Sequence, residues 1–293
     1  MKSFTHVCGA VLIALTALSG AHAQSSPGPR RIVSVSPVIT EILAGIGAFG
    51  RVVAVSDYCT YPAGVKNLPR VGGWQNANLE KMVSLRPDLI LITEPQAPFM
   101  VEKFRKLKLP HMVVPSRSLE DAFTAMIQIG RATGREAEAA AMAQATRTAL
   151  EAVRLRTRTV PRRSVLCVVG RVPGTLRDLT VATPGSFLAD LVEIAGGRFV
   201  TAPTAAGYIT INKEALVRLD PEIILDVVYT PGSRFGEDER AVWAAMPGLQ
   251  AVRGQRVHAV RDEFVLHTSQ FVSHTVRLLA ETIHPELFSE RTP

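Results

Sequence analysis

The chain is poor in cysteine. Three occur in 293 residues, which excludes a small scaffold held together by disulfides. Cys8 falls in the apolar amino-terminal run. Cys59 and Cys167 allow one bridge if they meet, but Cys167 sits in a strand-like apolar run that suits a buried free thiol. Beyond the amino-terminal segment no apolar run is long enough to cross a bilayer. The enzyme motifs that carry mechanism are missing too: no phosphate-binding loop, no G-x-S-x-G elbow and no H-E-x-x-H pair. Glu41, Asp57, Asp190 and Asp262 are acids with no matched partner, so nothing supports an enzyme. Charged residues make up 20% and lie in no long run of one sign, which excludes extended disorder.

What is present starts with a leader. Lys2 supplies a basic start, an apolar run extends from about Val7 to Leu18, and Ala21-His22-Ala23 is a small-x-small cleavage site. Residues 1–23 are expected to be a secretory signal peptide cut after Ala23, and the mature protein to be periplasmic. The formal charge of +7 falls to +6 once Lys2 is removed. Its one cluster, Arg154, Arg156, Arg158, Arg162 and Arg163, reads as a helix end where cations oppose the dipole. Export argues against nucleic acid as a partner.

The mature chain, 47% hydrophobic over the full length, is long enough for two cores. Apolar runs at 31–36, 51–56, 88–93 and 111–114 read as strands, with helices after Ser36-Pro37, over 78–85 and over 101–107. Strand and helix alternate, which implies a mainly parallel sheet covered on both faces. A long helical stretch runs from about Leu119 to Arg158 and is divided at Gly130 and Gly134. Its part from Arg135 to Arg158 is rich in good helix formers and would span about 36 Å. A second series follows, with strands at 164–169, 222–227 and 256–260 and helices at 186–195, 212–219 and 267–283. The expected fold is α/β: two Rossmann-like three-layer lobes, residues 24–132 and 162–293, joined by one long rigid α-helix over 133–161.

An internal repeat carries most information. Residues 78–91, NLEKMVSLRPDLIL, and residues 212–225, NKEALVRLDPEIIL, are identical at seven of fourteen positions. At the same offset Trp74 falls on Tyr208. A period this long fits two copies of one lobe, not a solenoid. A competing motif, Gly45-Ile-Gly-Ala-Phe-Gly50, has dinucleotide-loop spacing but ends a helix instead of opening one, so its glycines read as a cap and turn. Tyr58, Tyr61, Trp74, Tyr208 and Phe264 fall on loops near strand ends, where parallel sheets form their ligand crevice. Flat aromatics there suit a large ring ligand. His267 and His274, seven apart, read as surface or cap residues, because two imidazoles alone rarely make a metal site. Glu80 and Glu214 each follow a capping Asn in a first helical turn, where the dipole favours a carboxylate. Both could also be gripped by arginines of a partner.

With RIVSVSPVITEIL, VVAVSDYCTYP, LPRVGGWQNANLEKMVSLRPDLIL and INKEALVRLDPEIIL on the page, nearly the whole mature chain resembles the periplasmic binding proteins for cobalamin, ferric siderophores and haem that serve ATP-binding-cassette importers. The resemblance is closest to the cobalamin-binding members. It implies two lobes joined by a rigid helix (the helical-backbone metal-receptor arrangement), with the ligand between them. By motif position it implies ligand contacts from Tyr58, Trp74, Tyr208 and Asp262. It also implies docking of Glu80 and Glu214 on the transmembrane permease subunits. Phe264 is a further expected ligand contact from its loop. Thr93 stands where the cobalamin binders carry another pocket Trp. Cobalamin is the expected ligand, with no resident cofactor or metal and a monomeric protein. The alternatives are a ferric siderophore, with Arg171, Arg177 or Arg261 facing an anionic chelate; haem, with Tyr58 and His267 as axial ligands; and, more remotely, a secreted α/β enzyme acting in the cleft.

Overall fold

The computed structural model describes residues 28–73, 75–227 and 239–288. The expected leader, with Cys8 and the cut after Ala23, lies outside the described residues, as does Trp74. The first sheet contains β1 (Ile32–Ser34), β2 (Val52–Val55), β3 (Leu89–Thr93) and β4 (His111–Val114), in the order β2-β1-β3-β4 and parallel throughout. Its helices are α1 (Pro37–Gly45), α2 (Leu79–Ser84) and α3 (Ala97–Lys106). Continuous burial of β1, and of β3 from Ile90 onward, follows from helices covering both faces. Pro37 opens α1 at the position where its missing N–H costs nothing, and Val38, Ile39, Ile42 and Leu43 go into the core. The chain then turns at Gly47, whose φ of +71° suits glycine. This is the cap and turn expected of the glycine-rich segment.

The long helical stretch is two helices, α4 (Leu119–Thr133) and α5 (Glu136–Thr157), parted at Gly134, the left-handed cap with φ +65°. The expected division at Gly130 is corrected. That glycine stays inside α4 because a Cβ there would lie 2.3 Å from the Cβ of Ala139 on α5, so it permits close helix approach. On α5 the buried side chains are Ala139, Ala143, Thr146, Leu150, Val153 and Thr157, one narrow stripe at alternating spacings of four and three. Its 22 residues extend roughly 33 Å. Against it pack α4, α6 (Phe187–Ile194) and α10 (Val272–Ile283).

The second sheet contains β5 (Arg163–Gly170), β6 (Leu179–Ala182), β8 (Tyr208–Ile211), β9 (Ile223–Val227) and β10 (Val257–Val260), in the order β10-β9-β5-β6-β8, while β7 (Gly197–Phe199) pairs with the start of β5. Its remaining helices are α7 (Lys213–Leu219), α8 (Glu239–Trp243) and α9 (Gln250–Arg253). Strands β10, β9, β5, β7 and β8 run in one direction, but β6 runs opposite to its neighbours β5 and β8, so this sheet is mixed. The closing helix begins at Val272, not His267, because the residues before it are held against the first lobe.

The largest apolar cluster passes without a break from Ile39 and Leu43 on α1, through Met126 on α4 and Leu150 and Val153 on α5, to Leu188 and Leu191 on α6 and Val276 and Leu279 on α10. The lobes therefore share one core through the helices between them. Such a core resists hinge motion more than a flexible linker would. Two smaller clusters cover the outer face of each sheet.

Candidate functional site

The loops at the carboxyl ends of β1, β2 and β3 meet the segment after β10 around a cavity of about 450 Å³. Val35, Ser36 and Pro37, then Tyr58, then Thr93, Pro95 and Gln96 form its first-lobe wall, and Glu263, Leu266 and His267 form the other. This is where an open parallel sheet places its ligands.

Each wall is fixed by hydrogen bonds. Arg70 Nη1 donates to the carbonyls of Ser56 (2.8 Å) and Cys59 (2.7 Å) and so clamps the turn that presents Tyr58. Cys59 is buried beneath that turn with its Sγ against Thr40 Oγ1 (3.1 Å) and Ser56 Oγ (3.2 Å), and burial raises its pKa. Tyr58 itself is 43% exposed, and its ring lies on the backbone of Gly73, the residue before Trp74. Gln96 donates to Val35 O (2.8 Å) and accepts from the Thr93 N–H (2.8 Å) and hydroxyl (3.0 Å). Thr93, which stands where the resemblance places a pocket Trp of the cobalamin binders, lies on the wall.

The two walls are sewn together. Glu41 on α1 is buried, and its carboxylate accepts from His267 Nδ1 (2.7 Å) and Ser269 Oγ (2.5 Å), while its carbonyl accepts from Gln270 Nε2 (2.8 Å). Thr60 Oγ1 donates to Glu263 Oε2 at 2.6 Å. An aromatic cluster backs this seam: Phe264 stacks on Phe271 at 3.9 Å between centroids, and Tyr61 of the first lobe meets both edge-on at 5.9 and 5.1 Å.

Tyr58 thus stands on the cavity, but the structure does not bring every expected contact there. Phe264 spends its faces on Phe271 and Tyr61. Asp262 accepts from His274 Nε2 (2.6 Å) and the Phe264 N–H (2.9 Å), so it shapes the turn before α10. Tyr208, at the start of β8, packs on the shared core, where burial and then the nearby Cys167 push its hydroxyl up to about 12. Cys167 is itself buried and free, its thiol also pushed to about 12 by burial and then by Asp226. Arg171 corrects one expectation. Its side chain is 4% exposed and its Nε bonds Asp226 Oδ2 at 3.0 Å, so it is not presented to an anionic chelate. The surface reading of His267 is corrected, since it is held by the Glu41 carboxylate at the seam, while His274 lies exposed as expected and bonds Asp262 at a turn. Among the described residues no group of three His, Cys, Asp or Glu side chains is placed to hold a metal ion. Sequence reading gave Glu41 no partner, because its donors lie more than 220 residues away.

The repeated Asn-x-Glu starts are built alike. Asn78 accepts from the Lys81 N–H and Asn212 from the Ala215 N–H, both at 2.9 Å, and Glu80 and Glu214 stand exposed in the first turns of α2 and α7. Glu214 also borders a groove of about 590 Å³ with Arg177 and Lys213. Of the basic cluster, Arg154 and Arg156 lie in the last turn of α5 as expected, while Arg162 donates to Glu193 O in the last turn of α6 and Arg163 to Ile283 O at the end of α10.

Known proteins resemble this chain in sequence and fold. The uncharacterized ABC transporter substrate-binding lipoprotein YvrC of Bacillus subtilis is 28% identical over 89% of this chain and 82% of its own length. The vitamin B12-binding protein of Vibrio parahaemolyticus is 24% identical over 80% of this chain and 82% of its own. The haem-complexed IsdE of S. aureus superposes with a TM-score of 0.76 at 22% identity, covering 88% of this chain and all of that one. Residues 32–253, from β1 through α9, match the periplasmic binding protein model, and with two α/β lobes closing on one cavity the chain belongs to that family.

Proposed function

We propose that this protein captures a corrinoid, cobalamin first, in the interlobe cavity and hands it to the transmembrane subunits of an ABC importer, acting as a monomer in the periplasm after loss of a leader cut at Ala23. The observation that carries the reading is the cavity itself. It lies at the strand ends of a parallel sheet, its walls are tied across the lobes, and Tyr58 stands beside the loop that leads into Trp74. The vitamin B12-binding name of a relative spanning most of the chain supports the ligand class. Burial of Arg171 in an ion pair removes one of the three arginines named for an anionic ferric siderophore. Haem is the second reading, favoured by Tyr58 and His267 on one cavity.

Calorimetry with cyanocobalamin, ferric haem and a ferric siderophore ranks these ligands directly. Trp74→Ala should weaken cobalamin binding about tenfold or more, as loss of an aromatic anchor does. A wild-type protein that binds haem or a siderophore but no corrinoid overturns the corrinoid reading.

A further inference from the structure

The internal repeat keeps one identity that the fold itself does not use. Seven positions agree between residues 78–91 and 212–225. Five of them build each lobe. Asn78 and Asn212 cap their helices, Leu85 and Leu219 pack on the outer clusters, and Pro87 and Pro221 are buried. Ile90 and Leu91, with Ile224 and Leu225, lie in the buried strands. The sixth is the exposed pair Glu80 and Glu214. The seventh is Val83 on α2 and Val217 on α7, which are 42% and 54% exposed. No other two exposed large apolar side chains among the described residues are related by the repeat. Neighbouring positions have diverged: Leu79 answers to Lys213, Ser84 to Arg218 and Arg86 to Asp220. A valine costs a helix some propensity relative to lysine or arginine, so local helix formation does not select it. Three residues after its glutamate, each valine lies beside it on one helix face, with Cβ atoms about 5–6 Å apart. Neither valine lines the interlobe cavity.

We propose that Val83 and Val217 are a matched pair of apolar anchors for the transmembrane subunits of the importer, each entering an apolar recess beside the cationic group that meets Glu80 or Glu214. The inference rests on reading the two glutamates as the docking points, and it adds what carboxylates alone do not supply. Charges steer and orient an encounter, but a specific interface is held by a dry apolar centre inside a polar rim. A valine next to each carboxylate provides that centre and excludes water from the ion pair. Two equivalent anchors on two repeated lobes fit a partner that presents the same recess twice.

The test measures docking of the unliganded protein on its importer held in lipid nanodiscs, for wild type, Val83→Thr, Val217→Thr and the double variant. Threonine keeps the shape and branching of valine and adds a hydroxyl that an apolar recess leaves unbonded. Each single variant should lose about fivefold or more in affinity, and the two losses should multiply because the sites are on separate lobes. The unfolding midpoint should stay at the wild-type value, because water solvates both hydroxyls in the free protein. The lost contact is apolar, so docking should keep its wild-type salt dependence, whereas Glu80→Ala with Glu214→Ala should flatten it. Leu155→Thr, at an exposed leucine of α5, should dock as wild type does. Threonine variants that dock normally while the glutamate variant fails overturn the anchors and leave the docking glutamates standing. An equal loss in Leu155→Thr, or a flattened salt dependence in the threonine variants, also overturns them. Self-association of wild type that the threonine pair abolishes would assign the valines to a second copy of the chain and overturn the permease as their partner. A glutamate variant that docks as tightly as wild type removes the docking face and the anchors with it.

Discussion

The two lobes repeat more than a helix start. Asp88, two residues into the first lobe's Pro-Asp-Leu-Ile-Leu run and just before β3, accepts the backbone N–H groups of Arg30 (2.7 Å) and Arg31 (2.8 Å) at the mouth of β1. Its counterpart at the same offset is Glu222, just before β9. Glu222 accepts the N–H (2.6 Å) and hydroxyl (2.9 Å) of Ser164 near the start of β5, while Ser164 Oγ accepts the Glu222 N–H (3.0 Å). In each lobe a carboxylate ahead of one strand thus satisfies the free donors of its parallel neighbour, which no ladder bond reaches. Four residues further on the copies part. Ile92 is buried among the apolar side chains of the first lobe's outer face. Asp226 takes that place in the second, bonded to Arg171 and to Trp243 Nε1 at 2.8 Å. The repeat persists where it builds backbone frame and exposed helix starts, and it yields where each sheet is covered by different neighbours.

The strongest test of the shared part is docking. If Glu80 and Glu214 are equivalent grips for a two-fold-related permease, Glu80→Ala with Glu214→Ala should abolish ligand-stimulated ATP hydrolysis by the reconstituted transporter, and each single variant should lower it by a similar factor. A charge-assisted pair with arginine is strong and fixes orientation, so its loss is felt at the complex. The same double variant should keep its ligand affinity, because neither glutamate lines the cavity. Transport that survives intact, or that fails from one lobe alone, would break the equivalence.

The divergent part predicts a large stability effect confined to the second lobe. Arg171 and Asp226 are 4% and 1% exposed, so Arg171→Met strands a buried carboxylate and should cost about 3–5 kcal/mol in urea unfolding. Adding Asp226→Ile, the first lobe's residue at that place, should recover most of the loss. What remains is the unpaired Trp243 N–H, about 1–3 kcal/mol. A double variant no better than the single would mean that the ion pair is not the source of the cost.

How far the sequence discloses this architecture follows the range of the forces involved. The parallel strands β1, β3, β4, β5, β9 and β10 are apolar runs, and the Asn caps of α2 and α7 act within three residues, so both are legible locally. Strands β6, β7 and β8, no shorter than β1 or β4, stand among turn and polar residues without the βα alternation that marks the others, and so read as loop. Tyr58 was legible as a cavity position because a strand end places it there, and Thr93 was marked only through the resemblance to the cobalamin binders. The Glu41–His267 seam, the stacking of Phe264 on Phe271 and the sequestration of Arg171 were not. Each depends on which distant segment arrives opposite, and composition is silent on that. Gly130 misled for the same reason: its role is set by Ala139 across the helix pair, not by its own propensity.

The smallest effect separates the two backbone clamps. Glu222 has its pKa held below the usual glutamate range, chiefly by the Ser164 N–H and, with burial opposing, by the Ser164 hydroxyl. A carboxylate with a folded pKa below its unfolded value stabilises the fold at every pH above that unfolded value, about 4.3 for glutamate. That contribution fades as pH falls through the folded value. Glu222→Gln should therefore lower stability by about 1 kcal/mol at pH 7, a charge-assisted bond discounted for partial exposure. The difference from wild type should shrink as unfolding is measured at successively lower pH below about 4.3. Asp88→Asn at pH 7 should cost less, because Arg30 and Arg31 are exposed and water replaces the lost acceptor, whereas the backbone of Ser164 lies in a buried residue. Equal costs at pH 7 would mean that burial of the donor does not set the strength of these clamps. A Glu222→Gln penalty that persists unchanged in acid would mean that the side chain's shape, not its charge, closes the mouth of β5.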